Sequence, residues 1–342
     1  MSRRCWVAVA VAAGLAVTAG GCATHSATSV SEKPGCITHF QPDVDYFPDK
    51  SAVTDATNFT LSYHDSYQLL TVKQPYPRGR PESYVLVRCG APTPQLTGDL
   101  AHAQHIIVPV NSVYAASTTQ LGMLTELNRA DAITGVADGR GPAQQINAES
   151  VIAAHPGVLL TPGADDPSYA KLRDAGLAVV ADAEWLEATP LGRAEWVKAL
   201  AALTGTEKKA NEVYAKVRRD YRAVAAKIAG VHRIPVLPGT MYQGSWSMPA
   251  GGDYAGRLIL DAGGSYPWAD DTSTGSLQLN FESVYANAGQ AQIWLINNNW
   301  KTIDDAVAAD SRYRELAAVH RGQVWSAGND YWARGAARPD LV

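Results

Sequence analysis

Apolar positions recur along this chain in three patterns. Between residues 204 and 230 the sequence reads TGTEKKANEVYAKVRRDYRAVAAKIAG, and Val213, Val217, Tyr221, Val224 and Ile228 return at spacings of three and four. That is the period of one helix face, and Lys208, Lys209, Glu212, Lys216, Arg218, Arg219, Asp220 and Arg222 charge the others. Thr204 followed by Glu207 has the spacing of a capping box, Gly230 offers a left-handed stop, and Pro235 blocks continuation. The pattern predicts one long helix, roughly 37 Å from end to end at the usual rise.

The second pattern is short and β-like. Residues 59–63, 67–73 and 83–89 are rich in β-branched and aromatic side chains, separated by His64-Asp65-Ser66 and by a Pro/Gly/Arg cluster over 75–81. They predict a small antiparallel meander. The third pattern alternates near-continuous apolar strands with helical stretches, as expected of parallel strands covered on both faces. Strands are expected at 105–110, 133–137, 158–161 and 177–180, with helices at 121–128, 148–155, 169–175 and 190–203. After the long helix the alternation resumes, with strands at 234–240, 293–297 and 324–326 and helices at 254–262, 282–288 and 303–309. The fold class is therefore α/β: two α/β lobes with parallel sheets joined by one long helix, plus an N-terminal antiparallel β meander. An ordinary crossover helix within one larger sheet is the alternative. The expected divisions are a signal segment at 1–22, a tether at 23–35, the meander at 36–97, a lobe at 98–203, the helix at 204–230 and a second lobe at 231–342.

The N-terminus changes the setting. Arg3 and Arg4 precede an apolar run from Trp6 to Val17, too short to span a bilayer comfortably, and Ala19-Gly20-Gly21-Cys22 follows as a processing site. The two glycines before Cys22 resemble a bacterial lipobox, so lipidation at Cys22 is expected; Ala19 stands where such boxes carry Leu, which leaves plain cleavage as the alternative. The protein is thus expected on the outer face of the cytoplasmic membrane or in the periplasm. With Cys5 in the signal segment and Cys22 lipidated, Cys36 and Cys89 remain and are expected to pair in an oxidising compartment. A net charge of -4 over 342 residues gives no basic footprint for nucleic acid. Fifteen Tyr and nine Trp against four Phe suit a half-wet binding surface.

Ligands of parallel α/β sheets sit beyond the carboxyl ends of the strands. Those ends carry Ser117-Thr118-Thr119-Gln120, Asp138-Gly139-Arg140, Glu184-Trp185, Tyr242 with Trp246, residues 297–300, and Asp330-Tyr331-Trp332. Arg140 and Arg334 offer planar donor forks for an anion. His102 and His105 have a chelating spacing, but a strand beginning at His105 makes them a surface pair, and no metal site is expected. No nucleophile elbow, zinc-protease helix, P-loop or dinucleotide fingerprint occurs, so no enzyme is expected. The glycines of PAGGD (249–253) lead to Asp253, placed to cap the next helix.

The runs STTQLGMLTELNRADAITGVAD (117–138), EWLEATPLGRAEWVKALAALTG (184–205), GSWSMPAGGDYAGRLILDAGGSYPWADD (244–271) and LNFESVYANAGQAQIWLIN (279–297) together resemble class III substrate-binding proteins of bacterial ABC importers. The resemblance implies capture of an iron–siderophore complex or haem, with cobalamin as the alternative cargo and a lipoprotein that recognises a protein partner as a more distant one. It implies no cofactor, a monomer, and delivery to a permease in the cytoplasmic membrane. The aromatic residues Trp185, Tyr242, Trp246, Trp300 and Trp332 would line the cleft, while Thr119, Arg140 and Tyr331 would bind polar or charged parts of the ligand. One carboxylate per lobe would dock on permease arginines, by position Asp166 and Glu282. Family members run on past a segment like ARPDLV into a closing helix; the sequence given stops at Val342, implying truncation or a missing helix. A continuous helix between the lobes implies that they shift only slightly on binding.

Overall fold

The computed structural model describes residues 36–137, 146–228, 230–298 and 300–326. Its first sheet is built from β1 (Phe59–Tyr63), β2 (Tyr67–Val72) and β3 (Glu82–Arg88), paired antiparallel in the order β1-β2-β3. Alternate residues of β2 (Gln68, Leu70 and Val72) are buried, the period-2 signature of a strand with one packed face. β4 (Gln104–Val108) lies parallel to β3 and completes the sheet. The apolar run at 105–110 was expected to open the first parallel lobe; it is instead the fourth strand of the meander. Continuous apolarity reports burial on both faces and does not say in which sheet. A Cys36–Cys89 disulfide ties the start of this region to the end of β3, where the Ile37 N–H donates to the Cys89 carbonyl at 2.8 Å.

The N-terminal lobe is a parallel sheet in the order β6-β5-β7-β8, from β5 (Val113–Ala115), β6 (Ile133–Val136), β7 (Val158–Thr161) and β8 (Val179–Ala181). Three helices, α1 (Thr118–Glu126), α2 (Ala148–Ala154) and α3 (Ser168–Asp174), alternate with these strands. The helix expected over 190–203 is two, α4 (Pro190–Glu195) and α5 (Val197–Thr204), divided at Trp196. Leu124, Val158, Leu160 and Leu200 share one core with Leu70 and Tyr84 of the first sheet.

The long helix α6 runs Glu207–Ile228. The expected capping box at Thr204 does not form. Gly205 turns left-handed at φ 67 and stops α5 first, so the Thr204 hydroxyl donates back to the Leu200 carbonyl at 2.9 Å. Glu207 is buried and accepts from Gln68 Nε2 at 2.9 Å. The stripe on α6 buries Val213 and Val217, while Val224 is 55% exposed. There Tyr221, Val224 and Ile228 face Leu258 and Ala262 across a groove of about 250 Å³.

Beyond α6 a second parallel sheet has the order β12-β9-β14-β15, from β9 (Ile234–Pro238), β12 (Gly264–Ser265), β14 (Ile293–Ile296) and β15 (Val324–Ser326). β10 (Thr240–Tyr242), β11 (Ser245–Pro249) and β13 (Ser276–Leu279) add an antiparallel sheet that periodicity did not predict. The helices are α7 (Tyr254–Asp261), α8 (Phe281–Ala288), α9 (Ile303–Ala309) and α10 (Ala317–His320). Asp253 caps α7 through the Ala255 N–H at 2.8 Å. The two parallel sheets are separate and α6 joins them, so the single-sheet alternative is excluded. Among the described residues no helix is long and apolar enough to cross a membrane.

Two buried carboxylates fasten the irregular segment before β1. Glu195 accepts the N–H groups of Thr54, Asp55 and Ala56 at 3.0, 2.6 and 2.8 Å, and Glu187 accepts those of Thr57 and Asn58 at 2.9 Å each. Lys198 neutralises Glu195 at 2.6 Å, and the Trp196 indole N–H donates to Glu187 at 3.0 Å. Burial alone would raise the Glu195 carboxyl, but Lys198 and the backbone donors hold it below its ordinary value.

Candidate functional site

In the N-terminal sheet β5 lies between β6 and β7, so successive crossovers run in opposite directions and leave a crevice at the carboxyl ends. The loop after β5 is pinned there. Ser117 accepts from the Thr119 N–H, while Gln120 accepts from the Ser117 N–H at 3.1 Å, closing a capping box. Gln120 is fully buried, and its Nε2 donates to the Thr161 carbonyl at the end of β7 at 3.1 Å. Thr119 is thereby held half-exposed at the crevice, its hydroxyl 2.9 Å from that of Ser117. Trp185 follows β8; its indole N–H donates to the Pro162 carbonyl at 3.0 Å, leaving the ring half-exposed beside the loop after β7. Gly163 is required at that contact: its φ is 66, and a Cβ there would sit 2.8 Å from the indole nitrogen.

The second lobe offers Tyr242 and Trp300. Gln243 and Gly244 both have positive φ, 50 and 84, as a two-residue type I′ hairpin needs. This turn presents Tyr242 67% exposed at its tip. Trp300, after β14, keeps one side against Trp294 and Tyr313 at ring distances of 6.1 and 5.7 Å and remains partly open.

Trp246 is not a cleft residue. It is 0% exposed, donates to the Pro238 carbonyl at 2.9 Å, and centres an aromatic core with Trp294, Tyr313 and Phe281. Trp246 and Met248 point inward from β11 while Ser245 and Ser247 stay partly exposed, so strand alternation decides its fate. Arg140, Arg334, Tyr331, Trp332 and Cys22 lie outside the described residues.

Asp166 and Glu282 sit at helix starts. Asp166 accepts the Ser168 N–H at 2.8 Å ahead of α3. Glu282, in the first turn of α8, has a 74% exposed side chain that lies 3.4 Å from Arg312, itself gripped by both oxygens of Asp310.

A polar cluster of which sequence reasoning named only Glu184 lies where the lobes meet. Asp182, just past β8, is 2% exposed, and the buried Gln120 side chain lies beside its carboxylate. Glu184 pairs with Arg193 of α4 at 3.0 Å, and the Arg193 guanidinium lies 4.2 Å over the ring of Tyr254, the first residue of α7. The spacing Asp182-x-Glu184 at a strand end was the available signal. Burial, with the Glu184 charge added, pushes the Asp182 carboxyl well above its ordinary range, and the Gln120 side chain and Arg193 only partly offset this. The neutral form therefore favours the folded state. This contribution is complete below the unfolded value near 3.8 and is lost as pH rises through the elevated folded value. Asp182→Asn is expected to flatten the decline in thermal midpoint over that range; parallel curves for the two proteins would refute it.

Among the described residues no group of three or more His, Cys, Asp or Glu is arranged to hold a metal ion. The groove along α6 is lined by helices α6 and α7 and no strand-end loop, so it is separate from this cleft.

The sequence profile described as "Periplasmic binding protein" matches residues 113–331, more than half the chain. An uncharacterized lipoprotein of Methanocaldococcus jannaschii is 28% identical over 265 residues, covering 69% of this chain and 64% of that protein. A second one is 24% identical and is covered over 54% of its length, so the chain spans less than two thirds of these relatives. Among solved structures, the periplasmic haem-binding protein HutB of Vibrio cholerae superposes with a TM-score of 0.55 at 17% identity, covering 67% of this chain and 94% of that one. An ABC-type Fe3+-hydroxamate transport protein of Saccharomonospora viridis superposes at 0.54 and 17% identity, over 68% and 90% of the two chains.

Proposed function

Since the chain belongs to the periplasmic binding protein family, whose members serve transporters and are not enzymes, we propose that it captures an iron complex, a siderophore or haem, and hands it to an ABC permease. The observation that carries this reading is the exposure of flat aromatic groups beside strand ends in both lobes: half-open Trp185 near the Thr119 hydroxyl's sheet in one, half-open Trp300 and exposed Tyr242 in the other. Such a surface suits a large, weakly hydrated chelate or macrocycle. Solved proteins of this fold include a haem-binding protein and a ferric-hydroxamate transport protein, which makes those cargoes the first to test. Arg140, Tyr331 and Trp332 would complete the walls, Cys22 would carry the lipid anchor, and Asp166 and Glu282 would meet the permease.

The test is a tryptophan-fluorescence titration with ferric trihydroxamates, ferric catecholates, haem and corrinoids. Quenching by an iron complex or haem, weakened at least tenfold in Trp185→Ala, is expected. Response to corrinoids alone would transfer the assignment to cobalamin, and no response to any member would sink the reading. Glu282→Lys is expected to leave that titration unchanged while lowering uptake into vesicles that carry the cognate permease; an unchanged uptake rate would remove Glu282 from the docking surface.

A further inference from the structure

A single helix is an incomplete joint. It resists bending, but one connection leaves the lobes free to rock about its ends, and the carboxyl ends that face the cargo would then have no defined separation. A second contact between the lobes exists: α4, on the N-terminal side, packs against α7 of the other lobe. At its centre Arg193 points out of α4, its side chain 12% exposed, with Glu184 at 3.0 Å and the Tyr254 ring at 4.2 Å. Asp182 and Asp253, both buried, lie close enough to the same guanidinium to feel its charge.

Both ends of this contact stand on rigid supports. α4 begins at a Thr189 cap and ends at Glu195, which is locked by three backbone donors and Lys198. Tyr254 follows a loop in which Gly251 and Gly252 pass within 2.0 and 2.5 Å of the carbonyls of Ala269 and Thr272, measured from where a Cβ would stand. No larger residue fits there, and Asp253 fixes the turn through the Ala255 and Gly275 N–H groups at 2.8 and 3.1 Å. A cation held this way on an aromatic face and largely removed from water attracts it more strongly than at an exposed site.

We propose that Arg193, paired with Glu184 and seated on Tyr254, latches the two lobes together and so positions the cleft walls over the cargo. Arg193 is a positioning residue: it acts through the separation of the lobes and touches no cargo. Only the affinity arm below rests on the proposed cargo site; the distance arm stands without it.

The experiment places nitroxide-bearing unnatural residues at exposed positions 174 and 290, one on each lobe, and measures their distance distribution by double electron–electron resonance in the cargo-free protein. The parent is expected to give one narrow distribution. Arg193→Gln and Tyr254→Leu are each expected to broaden it, and Arg193→Lys to keep it narrow, since an ammonium still pairs with Glu184 and still sits over a ring. Dissociation of whichever complex scored in the fluorescence panel is expected to quicken about tenfold in the two broadened variants. Unchanged distributions in both variants would overturn the latch, as would broadening in Arg193→Gln alone, which would reduce the contact to the Glu184 pair. Should no panel member bind, the cargo reading fails and the distributions still decide the latch.

Discussion

Replacing Glu195 with alanine is expected to destabilise the fold by ~3–5 kcal/mol, the range found when one member of a buried ion pair is removed. Glu195 is 0% exposed and Lys198 5%, so the substitution leaves a buried ammonium with no anionic partner, held by the Ala52 carbonyl at 2.7 Å and the Tyr214 ring face at 4.3 Å. It also strips acceptors from the N–H groups of Thr54, Asp55 and Ala56. Each donor left without a partner would cost about 1–3 kcal/mol if water could not reach it, although the segment can relax toward solvent. Glu195→Gln retains one acceptor oxygen and should fall between parent and alanine. Urea unfolding measures the effect, and a loss below about 1 kcal/mol would show that the clamp is dispensable. The pH dependence has the opposite sign to that of Asp182. With its folded value held below the ordinary 4.5, Glu195 contributes stability above that value and loses it as pH falls through the lower one.

The clamp also marks where sequence reading stops. The long helix and most strands of the two parallel sheets were legible because their signals are local and periodic: Val213 and Val217 on α6, or the apolar run of β7, need no partner to be recognised, whereas β5 and β12, three and two residues long, are too short to carry a period. Glu187 and Glu195 carry no such signal. In sequence each is a charged residue near a Trp, and only the approach of residues 54–58, more than a hundred positions away, makes them buried acceptors. Trp246 was misplaced for a related reason. Its position after β9 suggested a cleft, but an unforeseen hairpin intervenes and strand alternation turns it inward. Tyr242 and Trp246, four residues apart in the same hairpin, end on the surface and in the core respectively. The Arg193–Tyr254 contact was invisible because it joins two lobes that sequence patterns describe separately.

Removing the Cys36–Cys89 bridge is expected to lower stability by about 4 kcal/mol, the chain-entropy value for a closed loop of some fifty residues. The bridge spans a separation of 53 residues, which includes the whole segment before β1 and the first three strands. The first residues of this segment are held by the bridge and the Ile37–Cys89 hydrogen bond, and the next anchor along the chain is the Tyr46 N–H on the Asp65 carbonyl at 2.7 Å. Its far end, by contrast, keeps the carboxylate clamp, and its middle is tied to α6 by Ser51 and Lys50 contacts to Asn211 at 2.9 and 3.1 Å. The Cys36→Ser/Cys89→Ser double variant should therefore fold, with a lower urea midpoint and a steeper dependence on urea, because the unlinked chain expands further when unfolded. Hydrogen exchange should show protection lost at Ile37 and retained at residues 54–58. An unchanged slope with a lost midpoint would place the effect in the folded state, and a loss below about 1 kcal/mol would mean that the clamp at Glu187 and Glu195 alone holds the segment.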